Sequence, residues 1–216
     1  IKGKYYEGLR KIGRPLEFSQ KYYDEGIDEI VFIDSIASLY DRNALTNIIN
    51  NVSKNIFVPL TVGGGIRNLK DIEVALKNGA DKISINSHAV RDSKFLIEAI
   101  REFGSSTIVF SLVVSKLKNN KWEVFIDNGR NATGIDAIDW VKKIRDFGIG
   151  EILINCVEND GLMNGFDINL VNEVCKNADV PVICSSGAGN LLHINNLLKK
   201  TDCDAICIGS AFHYNL

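Results

Sequence analysis

The chain has 216 residues, 45% of them hydrophobic and 24% charged, an ordinary globular composition with enough apolar side chains for a sizeable core. A formal net charge of −2 offers no basic field to nucleic acid or to an anionic membrane, and no apolar run approaches the length of a membrane span. The five cysteines (Cys156, Cys175, Cys184, Cys203 and Cys207) lie in the second half, mostly inside apolar runs. Cys203-x-x-x-Cys207 has no paired histidines, so reduced core thiols of a cytoplasmic protein fit better than a zinc site.

In chain order, short β-rich runs alternate with helical patterns. A helix is expected at Pro15–Glu25, where proline suits the first turn. Strand Glu29–Asp34, helix Asp41–Val52, strand Phe57–Val62, helix Leu69–Asn78, strand Asp81–Asn86, helix Asp92–Phe103 and strand Thr107–Val113 follow. The stretch Lys116–Thr133 is irregular, and Asn119-Asn120 before Trp122–Ile126 reads as a hairpin inserted after that strand. Helix Ile135–Phe147, strand Glu151–Asn155, helix Asn169–Lys176, strand Pro181–Ser185, helix Leu191–Lys199 and strand Asp204–Gly209 complete the series. Most strands are continuous apolar runs, as strands buried on both faces are. Asp92 and Asp167 stand where helix-capping side chains stand. Such alternation gives βα units, a parallel sheet and right-handed crossovers.

The chain repeats itself. Pro59-Leu60-Thr61-Val62-Gly63-Gly64-Gly65 is echoed 122 residues later by Pro181-Val182-Ile183-Cys184-Ser185-Ser186-Gly187, and Glu29-Ile30-Val31-Phe32-Ile33 by Glu151-Ile152-Leu153-Ile154-Asn155 at the same offset. The offset grows to 123 at Asp81–Ser87 against Asp204–Ser210. A long repeat constrains architecture before any other feature. Here each half carries four βα units, which selects the closed (βα)8 barrel over the open doubly wound sheet. One barrel domain spanning 1–216 is expected, built from two half-barrel repeats. Its first strand and last helix would lie outside this sequence, since a whole barrel has about 250 residues.

In such barrels function sits in loops at the C-terminal strand ends. Gly64 and Gly65 follow one strand and Asn86-Ser87 the next; Ser186-Gly187 and Gly209-Ser210 stand in the same relation in the second half. Glycines let backbone N–H groups close on an anion, and a helix start adds its positive dipole end. A single loop of this kind would be only a tight turn. Two matched loops, each paired with small polar residues on the next strand, point to phosphate. The repeat places the two across the barrel mouth, so the expected ligand is a long small molecule with a phosphate at each end. His88, His193 and His213 have no ligand spacing, and neither a metal nor a cofactor is expected.

The motifs Val62-Gly63-Gly64-Gly65-Ile66, Gly79–Asn86, Glu151–Ile154, Asp160-Gly161, Ser186–Gly189, Thr133-Gly134 and Phe212-His213 together resemble the HisF family, the cyclase subunits of imidazole glycerol phosphate synthase, over nearly the whole chain. The resemblance implies a bis-phosphate ribonucleotide substrate and ammonia from a HisH-like glutaminase docked on the N-terminal barrel face. It implies substrate-binding roles for Lys2, Asp34, Asn155 and Asp160, although threonine is the family's residue at Asn155 and aspartate at Glu158. It also implies an ammonia gate of Glu29, Lys82 and Glu151 at the starts of alternate strands, with Asp81 signalling to the glutaminase. An ordinary ring of ion pairs would show the same charges.

The family's chemistry needs two facing aspartates as general acid and base. One would precede Ile1; the other falls on Val113 or Val114, and valine cannot transfer a proton. Two functions follow. One is a cyclase-impaired paralogue that passes ammonia to a separate sugar amidotransferase of surface-glycan biosynthesis. The other is the parent lyase of histidine biosynthesis, which forms imidazole glycerol phosphate and aminoimidazole carboxamide ribotide. A sugar-phosphate isomerase would need the same missing acid–base pair.

Overall fold

The computed structural model describes residues 12–34 and 46–214, so Lys2 and the helical turn expected over 41–45 lie outside the described residues. The chain divides into two compact units, Lys11–Val109 and a second that contains Phe110–Leu216. The division falls where the sequence repeat passes from one half to the other.

The first unit runs α1 (Pro15–Asp24), β1 (Ile30–Ile33), α2 (Thr46–Ser53), β2 (Leu60–Gly63), α3 (Leu69–Lys77), β3 (Lys82–Ile85), the short α4 (Ser87–Arg91) and α5 (Ser93–Phe103). Its strands pair in parallel, Ile30 opposite Leu60 and Gly63 opposite Ser84. Ile49, Ile72, Ile83, Ile85 and Leu96 form its core, each no more than 2% exposed. Emptying one of these sites to alanine would cost about 2–5 kcal/mol.

β4 (Ile108–Lys116) leads into the second unit, which continues with β5 (Trp122–Ile126), β6 (Asn131–Asp136), α6 (Ala137–Asp146), β7 (Glu151–Cys156), α7 (Ile168–Ala178), β8 (Val182–Ser185), α8 (Leu191–Lys200), β9 (Ala205–Ile206) and α9 (Ser210–His213). β7, β8 and β9 pair in parallel, Ile152 opposite Val182 and Ile183 opposite Ala205. The hairpin expected at Asn119-Asn120 joins β4 to β5, which pair antiparallel with Val114 opposite Val124, and β5 pairs antiparallel in turn with β6. Along β7, Ile152 and Ile154 pack into the core while Asn155, on the other side of the strand, is a buried polar residue.

The seven expected strands and the expected main helices are all found, and the α/β alternation is that of the (βα)8-barrel class. The repeat extends to single hydrogen bonds. Asp81 accepts from Leu60 N–H (2.8 Å) and Asp204 from Val182 N–H (2.8 Å). Ile30 N–H reaches Pro59 O and Ile152 N–H reaches Pro181 O, both at 3.0 Å. Asn68 caps α3 through Asp71 N–H, and its counterpart Asn190 caps α8 through His193 N–H. Asp92 and Asp167 cap α5 and α7 as expected. Among the described elements, α4 and α9 were not foreseen, being too short to show a helical period, nor was β6, whose Asn131-Ala132-Thr133 carries no strand pattern. β9 is shorter than Asp204–Gly209, although Cys207 N–H still reaches Cys184 O at 2.8 Å.

Candidate functional site

In each unit two strand ends bring a glycine loop beside a short helix start. Gly63 is opposite Ser84, which sets Gly64 and Gly65 next to Asn86 and Ser87. Asn86 stands at the N-terminus of α4, with Ser87 its first helical residue and the Ser87 hydroxyl donating to Asn86 Oδ1 (3.0 Å). In the second unit the pairing of Cys184 with Ile206 sets Ser186 and Gly187 next to Gly209 and Ser210, and Gly209 precedes α9 as Asn86 precedes α4. The long helices α3 and α8 begin only at Leu69 and Leu191, past their loops. The dipole ends nearest these sites therefore belong to α4 and α9.

The two loops share a backbone conformation. Gly64 and Gly65 have φ of 91° and 72°, and Ser186 and Gly187 have 69° and 122°. Two of these positions demand glycine. A Cβ on Gly64 would lie 2.2 Å from Asp34 O, and one on Gly187 would lie 2.1 Å from Gly165 O. Ser186 holds a left-handed conformation that its counterpart Gly64 adopts freely, and its hydroxyl donates to Asp160 Oδ1 at 3.1 Å. Its first role is thus to tie the loop after β7 to the glycine loop after β8. Gly165 N–H to Gly187 O (2.8 Å) and Asn159 Nδ2 to Gly165 O (2.8 Å) extend the same tie. Asp34, at the end of β1, donates its N–H to Gly63 O (2.9 Å) and so lies against the first glycine loop.

Val113 and Val114 resolve into different faces of β4. Strand alternation puts Ser111, Val113 and Ser115 on one face. Asn155 Nδ2 reaches Ser111 Oγ at 3.2 Å, so this is the face that β7 lines with Asn155. Val157 N–H binds Val114 O at 2.9 Å, in the pattern by which Ile152 opposes Val182, and this sets Asn155 opposite Val113. Val114, fully buried, packs on the opposite face. The position expected to carry the carboxylate is therefore Val113, 4% exposed. Ser115 donates to the Glu158 carboxylate, which also takes the Cys156 thiol at 3.4 Å. Burial, then that carboxylate, push the Cys156 thiol far above its ordinary value. Asp127 lies in the turn between β5 and β6, where it accepts from Asn131 (2.7 Å).

At the N-terminal strand ends, Glu29 accepts from Thr61 and pairs with Lys82 at 2.9 Å, while Asp81 is held by Leu60 N–H. Glu151 opens β7 in the other unit. Sequence reasoning missed the anchor of the hairpin. Trp122 Nε1 donates to Asp167 Oδ2 at 3.0 Å, and Lys116 stands 3.8 Å from the same carboxylate and 5.8 Å from the indole ring. Strand register sets Lys116 directly opposite Trp122 across β4 and β5. No group of metal-binding side chains occurs among the described residues, and no described helix is long and apolar enough to cross a membrane.

The chain is 43% identical over 214 residues, 99% of its own length and 85% of the relative's, to imidazole glycerol phosphate synthase subunit HisF of Bacillus cereus (strain Q1). It is 43% identical over 195 residues, 90% of its own length and 92% of the relative's, to the HisF subunit of Legionella pneumophila. The family model described as "Histidine biosynthesis protein" matches residues 1–216. The chain therefore belongs to the HisF family of histidine biosynthesis proteins.

Proposed function

We propose that this chain is the ammonia-accepting barrel subunit of a glutamine-dependent amidotransferase complex, partnered by a HisH-type glutaminase and impaired as a cyclase. The observation that carries this reading is Val113. It occupies, opposite Asn155 and beside Ser111, the position where the chemistry of the family needs a carboxylate. Loss of general acid–base assistance lowers a rate by about 10²–10⁴-fold. Glu29 and Lys82 in one unit and Glu151 in the other supply the charged strand starts at which ammonia enters, and Asp81 is the contact that answers the glutaminase. The glycine loop with Asn86-Ser87 in one unit and that with Gly209-Ser210 in the other each bind a phosphate group, Asp34 assisting at the first and Asn155 and Asp160 at the second; ammonia then leaves for a separate amidotransferase acting on a surface-glycan sugar.

The reading is tested by adding the chain to the purified glutaminase at saturating glutamine. Glutamate release should rise above that of the glutaminase alone, and release unchanged by the barrel would refute the pairing. One observation favours a second reading, retained synthesis of imidazole glycerol phosphate. The Glu158 carboxylate is held by Ser115, two residues beyond Val113 on the same strand, and could replace the missing acid. Product formation that is abolished by Glu158→Gln would establish this alternative.

A further inference from the structure

Cys175 and Cys203 are partly exposed, whereas Cys156 and Cys184 are buried. Cys175, on α7, lines a surface cavity of about 390 Å³ together with Val180, Val182, Asp202 and Asp204. The two aspartates flank Cys203 in the chain. Asp204 is fixed beside β8, since its N–H reaches Val182 O at 3.0 Å and its carboxylate takes Val182 N–H at 2.8 Å. The cavity thus lies between α7 and the turn that leads from α8 into β9, with a cysteine on each side.

The first unit shows the corresponding junction closed. Ser53 follows the buried Val52 as Cys175, 122 residues on, follows the buried Val174. Ala80 precedes Asp81 as Cys203 precedes Asp204. Ser53 Oγ donates to Asn78 O at 3.3 Å, and a Cβ on Gly79 would lie 2.5 Å from Ser53 Cβ. The helix side chain at this position therefore faces the turn that enters the next strand. The second unit has no glycine in that turn, and there the cavity opens. Serine and alanine suffice to build the junction in the first unit, so packing alone does not call for two thiols. The thiols are also within electrostatic reach of each other: after burial, Cys203 is the largest influence raising the Cys175 thiol, and the same order holds for Cys184.

We propose that Cys175 and Cys203 are a redox pair that forms a reversible disulfide across this cavity, by exchange with a low-molecular-weight disulfide. One cysteine, as its thiolate, attacks a sulfur of the small disulfide and expels the other half as a thiolate. The second cysteine, also as its thiolate, attacks the protein sulfur of the mixed disulfide and expels the remaining half. The two protein thiols are oxidised, the small disulfide is reduced to two thiols, and the protons lost by the cysteines pass to the expelled thiolates. The bond fastens α7 to the entry of β9 and closes a loop that holds β8, its glycine loop and α8.

The test incubates the native chain with glutathione disulfide, blocks the remaining thiols with iodoacetamide and identifies linked peptides by mass spectrometry. The expected result is the loss of two of the five free thiols and a single link between Cys175 and Cys203. The melting temperature should rise by roughly 5–15 °C, as a disulfide closing a loop of this kind gives, and dithiothreitol should reverse all three changes. Cys175→Ser and Cys203→Ala carry the residues of the other unit, so both should melt like the reduced native chain. Neither should gain the rise on oxidation, and the thiol left in each should keep glutathione as a mixed disulfide. Five surviving thiols, glutathione on each cysteine without a link, or a link through Cys184 or Cys207 would overturn the pair.

Discussion

Replacing Gly187 with alanine should unfold the second unit at a markedly lower temperature. The new Cβ would sit 2.1 Å from Gly165 O, 2.6 Å from Gly165 C and 3.1 Å from Phe166 N, all backbone atoms that cannot turn aside. The residue would also have to hold φ near 122°, which costs an L-residue about 1–2 kcal/mol. Overpacking adds about 1–3 kcal/mol. The sum, roughly 2–5 kcal/mol, lowers the melting temperature by about 4–20 °C at the usual 2–4 °C per kcal/mol for a domain of this size. The bond from Gly165 N–H to Gly187 O would be lost, and with it the tie between the loops after β7 and β8. Thermal unfolding followed by circular dichroism reads the effect. Gly209→Ala is the control, because nothing lies within 4 Å of a Cβ there and its φ is −111°. A Gly187→Ala melt as high as that of the control would refute the close approach.

Asp81→Ala and Asp204→Ala should each destabilise by about 1–2 kcal/mol, because each removes a carboxylate acceptor from a strand N–H, and equal losses in denaturant titration would check the equivalence of the repeats. Trp122→Phe keeps the ring and removes the donor to Asp167, so it should cost about 1.5–3 kcal/mol and raise proteolytic cutting in the hairpin, read by limited digestion. Burial, followed by Cys203 and Asp204, raises the Cys175 thiol from 9.0 to about 11. The unfolded chain therefore loses this proton first, so the contribution of this thiol to stability is full below about pH 9 and disappears between there and pH 11. Denaturant midpoints should fall across that window, less so in Cys175→Ala. Val113→Asp should cost about 3 kcal/mol for a polar group at a 4% exposed site, and it should raise imidazole glycerol phosphate output if the missing carboxylate is the defect.

Most of the fold was legible because buried strands write themselves as unbroken apolar runs. Ile152-Leu153-Ile154 is one such run, inside the strand expected over Glu151–Asn155, and β7 covers Glu151–Cys156. The internal repeat carried more than the periodicity did, since it implied matched turns, caps and loops that recur down to Asn68 and Asn190. What stayed hidden depends on long-range partners. β6 exists because β5 pairs with it through a register shift between Glu123 and Phe125, which no local pattern announces. Whether Val113 or Val114 faces Asn155 depends on the register of β4 against β7, so the sequence left both open. The glycine loops were found by motif, but the hydroxyl of Ser186 turned out to hold Asp160, because a side chain's partner is set by the approach of another loop.

The central claim is a barrel that receives ammonia without cyclising the family's substrate. Its most direct test mixes the full-length protein with its glutaminase, glutamine and the bis-phosphate ribonucleotide, and follows glutamate and imidazole glycerol phosphate in the same reaction. The account predicts stimulated glutamate release with product lower by about 10²-fold or more. Product formed at the rate of glutamate release would contradict it and make Val113 no obstacle to the chemistry.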